Sequence, residues 1–245
     1  MGNWDNYPQN DEVHWPSDEK ILGILGVAPL ATIDFLQRCY ARTVKKDWEH
    51  IRILVDSNPK IPSRGRCLEL GETSPVPFMR AGIDNLAKNG AQVVAVPCNT
   101  AHIFYESYAQ GCSVFLPNII TVTADACVQQ KCRRALVLAS RNVIEHNLYG
   151  DALSKRGIEG LSPDEAGQKI VSQAITTVKQ IGYDNAMAHK LRAMIESYHT
   201  DAVILGCTEL PILVDSVNSM KKIVDSTQEL ANRCLELCGI KVSLL

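Results

Sequence analysis

The chain has 245 residues, 46% of them hydrophobic and 21% charged, with 25 basic and 27 acidic side chains giving a net charge of −2. A chain this long buries a full core as one large domain or two of about 100–150 residues, so folding requires neither disulfides nor a structural metal. The charge balance argues against nucleic acid as a partner, which demands a clustered excess of Lys and Arg, and no apolar run approaches the roughly 20 residues of a membrane span.

In chain order, the acidic opening through residue 19 lacks the basic-then-apolar order of a secretory signal, and Asn6 stands where myristoylation expects Ser or Thr. It is expected to be a flexible polar tail on a cytoplasmic protein. Short apolar, β-branched runs then predict strands at 20–26, 50–56, 91–97, 112–117, 133–140 and 201–206. Helical patterns fall between them at 30–46, 76–89, 100–109, 119–131, 143–156, 164–181, 184–199, 208–216 and 225–238. Such alternation predicts an α/β architecture on parallel sheet, with binding sites at the carboxyl ends of the strands.

Two of those strand ends are alike. AQVVAVPCNTAH and DAVILGCTELP each pass from a β-rich apolar segment through Pro or Gly into a cysteine and a polar helix start, and Cys98 and Cys207 lie 109 residues apart. The strands that would open each half, at Gly23 and Val137, are 114 apart. These offsets predict two similar doubly wound halves, 20–118 and 119–225, facing across a cleft, with a last helix in 226–245 packing back on the first.

Nine cysteines, an odd number, argue against a disulfide framework, and the close pairs Cys127/Cys132 and Cys234/Cys238 lack a CxxC or a His cluster, so no metal site is expected. Seven of the nine need only be small and apolar. Cys98 and Cys207 differ because a helix start favours thiolate, which is expected to lower their pKa. Two thiols facing one small molecule can exchange a proton through opposite faces of a carbon, one as base and the other as acid, with no cofactor. Asn99, Thr100 and Thr208 follow them with donors suited to a carboxylate.

VPCNTAH (96–102) and ILGCTELP (204–211), with GILG, PLATIDF and VDSNPKIPSR nearer the start, resemble the aspartate/glutamate racemase family, cofactor-independent enzymes of the wider Asp/Glu/hydantoin racemase superfamily. The resemblance implies a cytoplasmic, usually homodimeric amino-acid racemase acting on aspartate, with glutamate next. It matches Cys98 and Cys207 to the catalytic acid/base pair, Asn99, Thr100 and Thr208 to the α-carboxylate, and Asn58 to a pocket-lining position. Arg64 and Lys179 match cations that grip a side-chain carboxylate. A maleate-isomerase-like or decarboxylase-like enzyme, or a silent binding protein for acidic amino acids, is the alternative. His102 reads as a packed or solvent-facing side chain more readily than as a tuner of Cys98, while Glu209 reads equally as an orienting group or a first-turn acid. The chain departs from the family at Gly26-Val27-Ala28-Pro29, where relatives carry a glycine-rich turn, and at Ala139-Ser140-Arg141-Asn142-Val143, where Arg141 would add a cation or lie in solvent.

Overall fold

The computed structural model describes residues 19–41, 46–214 and 221–240; almost all of the expected tail lies outside them. The architecture is α/β with parallel strands throughout. In the first half, β1 (Leu22–Gly26) lies between β2 (Ile53–Ser57) and β3 (Val93–Ala95), giving the order β2-β1-β3. In the second, β4 (Arg134–Ala139), β5 (Glu159–Leu161), β6 (Ala202–Gly206) and β7 (Lys222–Asp225) are ordered β5-β4-β6-β7. The expected strand at 112–117 shrinks to one bridge between Phe115 and Val93, which occupies the place of β7 in the first sheet. Pro117 ends it, having no N–H to give the ladder. Both sheets therefore follow one order.

Alternation along each strand divides the core. Leu22, Ile24, Val93 and Ala95 of the first sheet and Ala135, Val137, Ala139, Ala202 and Ile204 of the second face one shared central cluster. It is filled by α1 (Pro29–Tyr40), α5 (Ile119–Gln129), α7 (Leu148–Ser154) and α11 (Ser226–Leu237). Leu25 and Val94 point outward to α3 (Val76–Lys88) and α4 (Tyr105–Ala109), while Leu136, Leu138, Val203 and Leu205 point to α8 (Glu165–Ile181), α9 (Asn185–Ser197) and α10 (Pro211–Val214). Helices thus cover both faces of each sheet, the arrangement that all-parallel strands require.

The helices α5 and α11 close the two halves in the same way. Asn118 caps α5 by accepting from the N–H groups of Ile120 and Thr121, and Asp225 caps α11 by accepting from Thr227 and Gln228. Each ends in a left-handed residue, Lys131 at φ 54° and Gly239 at φ 91°. Cys132 N donates to Cys127 O at 2.9 Å and Ile240 N to Leu235 O at 3.0 Å, the bonds of a Schellman closure. This explains the Cys127/Cys132 proximity as a helix end. The helix α5 packs on α7, β7 and α11; α11 packs on α1, β3, α5, β6 and β7.

Local differences from the sequence expectations have local reasons. The helix α2 (Arg64–Leu70), which carries Cys67, lies outside the predicted elements because it buries no residue and shows no apolar stripe. The three-residue edge strand β5 carries no periodic signal. Asn147, at φ 50°, splits the expected helix 143–156 into α6 (Arg141–Glu145) and α7. The first helix ends at Tyr40, and the expected extension of α10 through 216 runs outside the described residues. Among the described residues no helix is long and apolar enough to cross a membrane.

Candidate active site

Cys98 follows β3 and Cys207 follows β6, at the carboxyl ends of equivalent strands. Gly206 is needed in front of Cys207, since a Cβ there would lie 2.8 Å from the Tyr149 ring and 3.1 Å from Ala139 Cβ. Neither cysteine opens a regular α-helix: Asn99–Phe104 is a 3-10 helix, and three residues of turn separate Cys207 from α10. The dipole available to each thiol is correspondingly weak.

The expected lowering of pKa is reversed at Cys207. Burial, with 9% of the residue exposed, pushes the thiol well above its ordinary value, and the neighbouring Glu209 carboxylate pushes the same way; Lys179 offsets this only in part. The Sγ–H donates to Glu209 Oε2 at 2.9 Å. Glu209 also accepts from Thr208 Oγ1 at 3.4 Å and pairs through Oε1 with Lys179 Nζ at 3.6 Å. Desolvation pulls the Lys179 ammonium down, but Glu209, Cys207 and Cys98 outweigh it and hold the pKa above the usual lysine range, with Arg64 opposing. Lys179 therefore lies within electrostatic reach of both cysteines and of Arg64.

Cys98 is half-buried. Its carbonyl meets His102 Nδ1 at 2.9 Å, and the His102 ring is buried, stacked on Tyr105 and edge-on to Tyr108. Burial lowers the imidazole to about 4, so it is neutral at pH 7 and serves as packing under the turn. The five cysteines Cys39, Cys127, Cys132, Cys234 and Cys238 are buried, and burial raises Cys39 and Cys238 to about 12. Thiols held that high are poor nucleophiles.

The remaining candidates are placed differently. Asn99 is 3% exposed, and both ends of its side-chain amide are engaged: Oδ1 accepts from Tyr149 OH at 2.6 Å and Nδ2 donates to Ser226 Oγ at 3.0 Å. Ser226 Oγ in turn donates to Leu205 O at 2.7 Å. This buried tether runs from the residue after Cys98 to the strand carrying Cys207, and sequence reading missed both Tyr149 and Ser226. Thr100 Oγ1 meets Ser140 Oγ at 3.0 Å, and Asn142 Nδ2 donates to Glu69 Oε1 at 2.6 Å, both between halves. Asn58 N donates to Gly26 O at 2.7 Å while its Oδ1 accepts from Lys60 N, forming an Asx turn at the end of β2. Arg64 donates from Nη1 to Ile61 O and Pro62 O and from Nη2 to Val27 O, while its buried Nε has no acceptor among the described residues. Arg141 forks onto Glu165 at the surface, at 2.8 and 3.3 Å.

The family model described as Asp/Glu/Hydantoin racemase matches residues 24–234, which includes both cysteine turns. The chain belongs to the Asp/Glu/hydantoin racemase family. A relative from Bacillus subtilis (strain 168), the broad specificity amino-acid racemase RacX, is 28% identical over 221 residues, covering 86% of this chain and 95% of the relative. The structure of Picrophilus torridus aspartate racemase superposes with a TM-score of 0.83 at 26% identity, covering 91% of this chain and 96% of that one. Glutamate racemase from Francisella tularensis, solved with D-glutamate, shares the fold at a TM-score of 0.63 and 17% identity over 93% of this chain and 85% of that one. Membership in this family makes the protein an isomerase of the pyridoxal-phosphate-independent amino-acid racemase type.

Proposed function

We propose that this protein inverts aspartate, with glutamate next, by proton transfer between Cys98 and Cys207. The observation that supports this reading is the pair of thiols on equivalent strand ends, both within the field of one ammonium, Lys179. The Cα–H bond breaks as its proton passes to the Cys98 thiolate. The opposite face of Cα takes the Sγ proton of Cys207, and the reverse reaction exchanges the roles. No electrons leave the substrate, so the balance calls for no redox partner.

Thr100, Thr208 and the Asn99 backbone receive the α-carboxylate in this reading, and Asn58 lines the pocket. The buried, unpartnered Nε of Arg64 is the donor that an acidic side chain would satisfy. The same reading makes the enzyme a cytoplasmic homodimer.

A broader substrate range is the second reading, and one observation favours it. Lys179 is already paired with Glu209, and the Arg64 Nη groups already rest on three carbonyls, so the demand for an acidic side chain is reduced. Incubation with L-aspartate, L-glutamate, L-alanine and L-lysine in D2O, without pyridoxal phosphate, separates the two. Appearance of Cα deuterium and the D-enantiomer with the acidic pair alone supports the first reading, and comparable turnover of all four supports the second. No exchange with any of them, in protein that binds aspartate, would overturn racemisation.

A further inference from the structure

The two thiols have unequal surroundings. Among the described residues a carboxylate is hydrogen-bonded to Cys207 and none to Cys98, and the Glu209 carboxylate is 6% exposed and held at both oxygens. Lys179, 57% exposed at the last turn of α8, reaches inward to it. The charged and titratable groups facing this cluster are Cys207 and Glu209 from the turn after β6, Lys179 from α8, Cys98 from the turn after β3 and Arg64 from α2.

We propose that Glu209 is a positioning residue that holds Cys207 as the proton-carrying thiol of the resting enzyme, with Lys179 as its counter-charge. This rests on the two-thiol reading above and gives Lys179 a role toward the acid rather than toward the substrate's side chain. Oε2 fixes the direction of the Sγ–H bond, as a buried carboxylate fixes an imidazole in a catalytic triad. When Cys207 delivers its proton to Cα, a thiolate is left beside the Glu209 carboxylate. Lys179 balances one of those two anions. The cycle closes when the proton now on Cys98 returns to Cys207 through solvent. The resting enzyme is thus set for the enantiomer whose Cα–H faces Cys98, and the opposite direction must first unload Cys207 against Glu209.

The test reads the thiols directly and then the reaction. Alkylation of the full chain by iodoacetamide across pH 6–11, mapped by mass spectrometry, gives a pH profile for Cys98 and for Cys207, and its displacement between variants is read as a shift of midpoint. Glu209→Gln, by removing the adjacent negative charge, is expected to lower the Cys207 midpoint by about one pH unit, and Lys179→Ala to raise it similarly. Cys98 is expected to move less in Glu209→Gln. With substrate, Glu209→Gln is expected to lower kcat about tenfold more from one enantiomer than from the other at little change in KM, and Glu209→Asp to restore part of the asymmetry.

An unchanged Cys207 midpoint in Glu209→Gln, or an equal movement of both thiols, overturns the proposal. So does a Lys179→Ala variant whose Cys207 midpoint stays fixed while KM rises for acidic substrates alone. Lys179 is exposed, so that variant retains the fold, and alkylation does not depend on turnover. Failure of racemisation in the unaltered protein would remove the proposed function while leaving the Glu209 assignment to be decided by the midpoints.

Discussion

The turns at Cys98 and Cys207 begin from equivalent strands and diverge in the two residues that follow. After Cys98 come Asn99 and Thr100, and both reach across to the other half: Asn99 to Tyr149 and Ser226, Thr100 to Ser140. After Cys207 come Thr208 and Glu209, which turn back on the thiol itself and on Lys179. Equivalent strand ends supply the two thiols. The residues behind them assign one turn to joining the halves and the other to holding a proton, so near-symmetry in the backbone coexists with asymmetry in the chemistry.

Removing a thiol gives the largest expected effect. Cys98→Ser and Cys207→Ser should each reduce racemisation by roughly 10²–10⁴-fold, the range of a lost general acid or base. The asymmetry predicts different residual activities: Cys207→Ser retains Cα deuterium exchange from the enantiomer facing Cys98, and Cys98→Ser retains a smaller exchange from the other. Deuterium incorporation from each pure enantiomer checks this, and identical residual exchange in both variants would break the comparison. Next in size is the tether. Ser226→Ala leaves the buried Asn99 Nδ2 without an acceptor, at an expected cost of about 1–3 kcal/mol by urea denaturation. Because the tether sets where Cys98 stands relative to Cys207, kcat is expected to fall about tenfold or more with smaller change in KM.

These elements differ in how far they were legible from the sequence. Strands β1, β3, β4 and β6 announce themselves as apolar runs because helices cover both their faces, and the repeated run into a cysteine exposes the pairing of Cys98 with Cys207. The helix α2 stayed hidden because a helix that buries nothing has no apolar period. Tyr149 and Ser226 stayed hidden for a different reason: they meet Asn99 across separations of 50 and 127 residues, which no local pattern encodes. Glu209 was visible as a candidate, but its preference for the cysteine over the helix start depends on burial of the turn. That same burial reverses the expected pKa shift at Cys207, where desolvation and Glu209 outweigh a short helix's dipole.

The helix caps extend the comparison beyond the cleft. Asn118 and Asp225 do the same capping work, yet Asp225 is largely shielded from solvent and bound to Arg38 Nη1 at 2.8 Å. Burial raises its carboxyl to about 6 despite Arg38 and the N–H donors of Thr227 and Gln228. The unfolded chain ionises near the ordinary value of about 3.9, so between these two values the folded state holds more protons. Stability contributed by protonated Asp225 is therefore full below about pH 4 and is lost as pH rises through about 6, with an order of about 3 kcal/mol in total. Asp225→Asn keeps the cap and removes the titration. Melting from pH 4 to 7 should show the parent losing stability relative to Asp225→Asn, and parallel curves would place the charge of Asp225 outside the energetics of the α11 cap.

The smallest expected effect lies at the opposite ends of the same two helices. The Schellman turn that closes α11 places Gly239 at φ 91°, where glycine has no Cβ to strain, whereas α5 places Lys131 at φ 54° in the equivalent position. A side chain there costs about 1 kcal/mol; the exposed Lys131 donates its N–H to Val128 O and its carbonyl accepts from Lys222 Nζ at 3.1 Å, backbone bonds that a glycine would keep. Lys131→Gly relieves the strain but gives the unfolded chain more freedom, which opposes the gain. The net is expected to be a stabilisation of about 0.5 kcal/mol, read as a shift in urea midpoint at constant slope. A loss of stability would mean that the αL strain at Lys131 is smaller than the added freedom of the unfolded chain, and that the two helix ends, alike in their hydrogen bonds, differ in how firmly they are held.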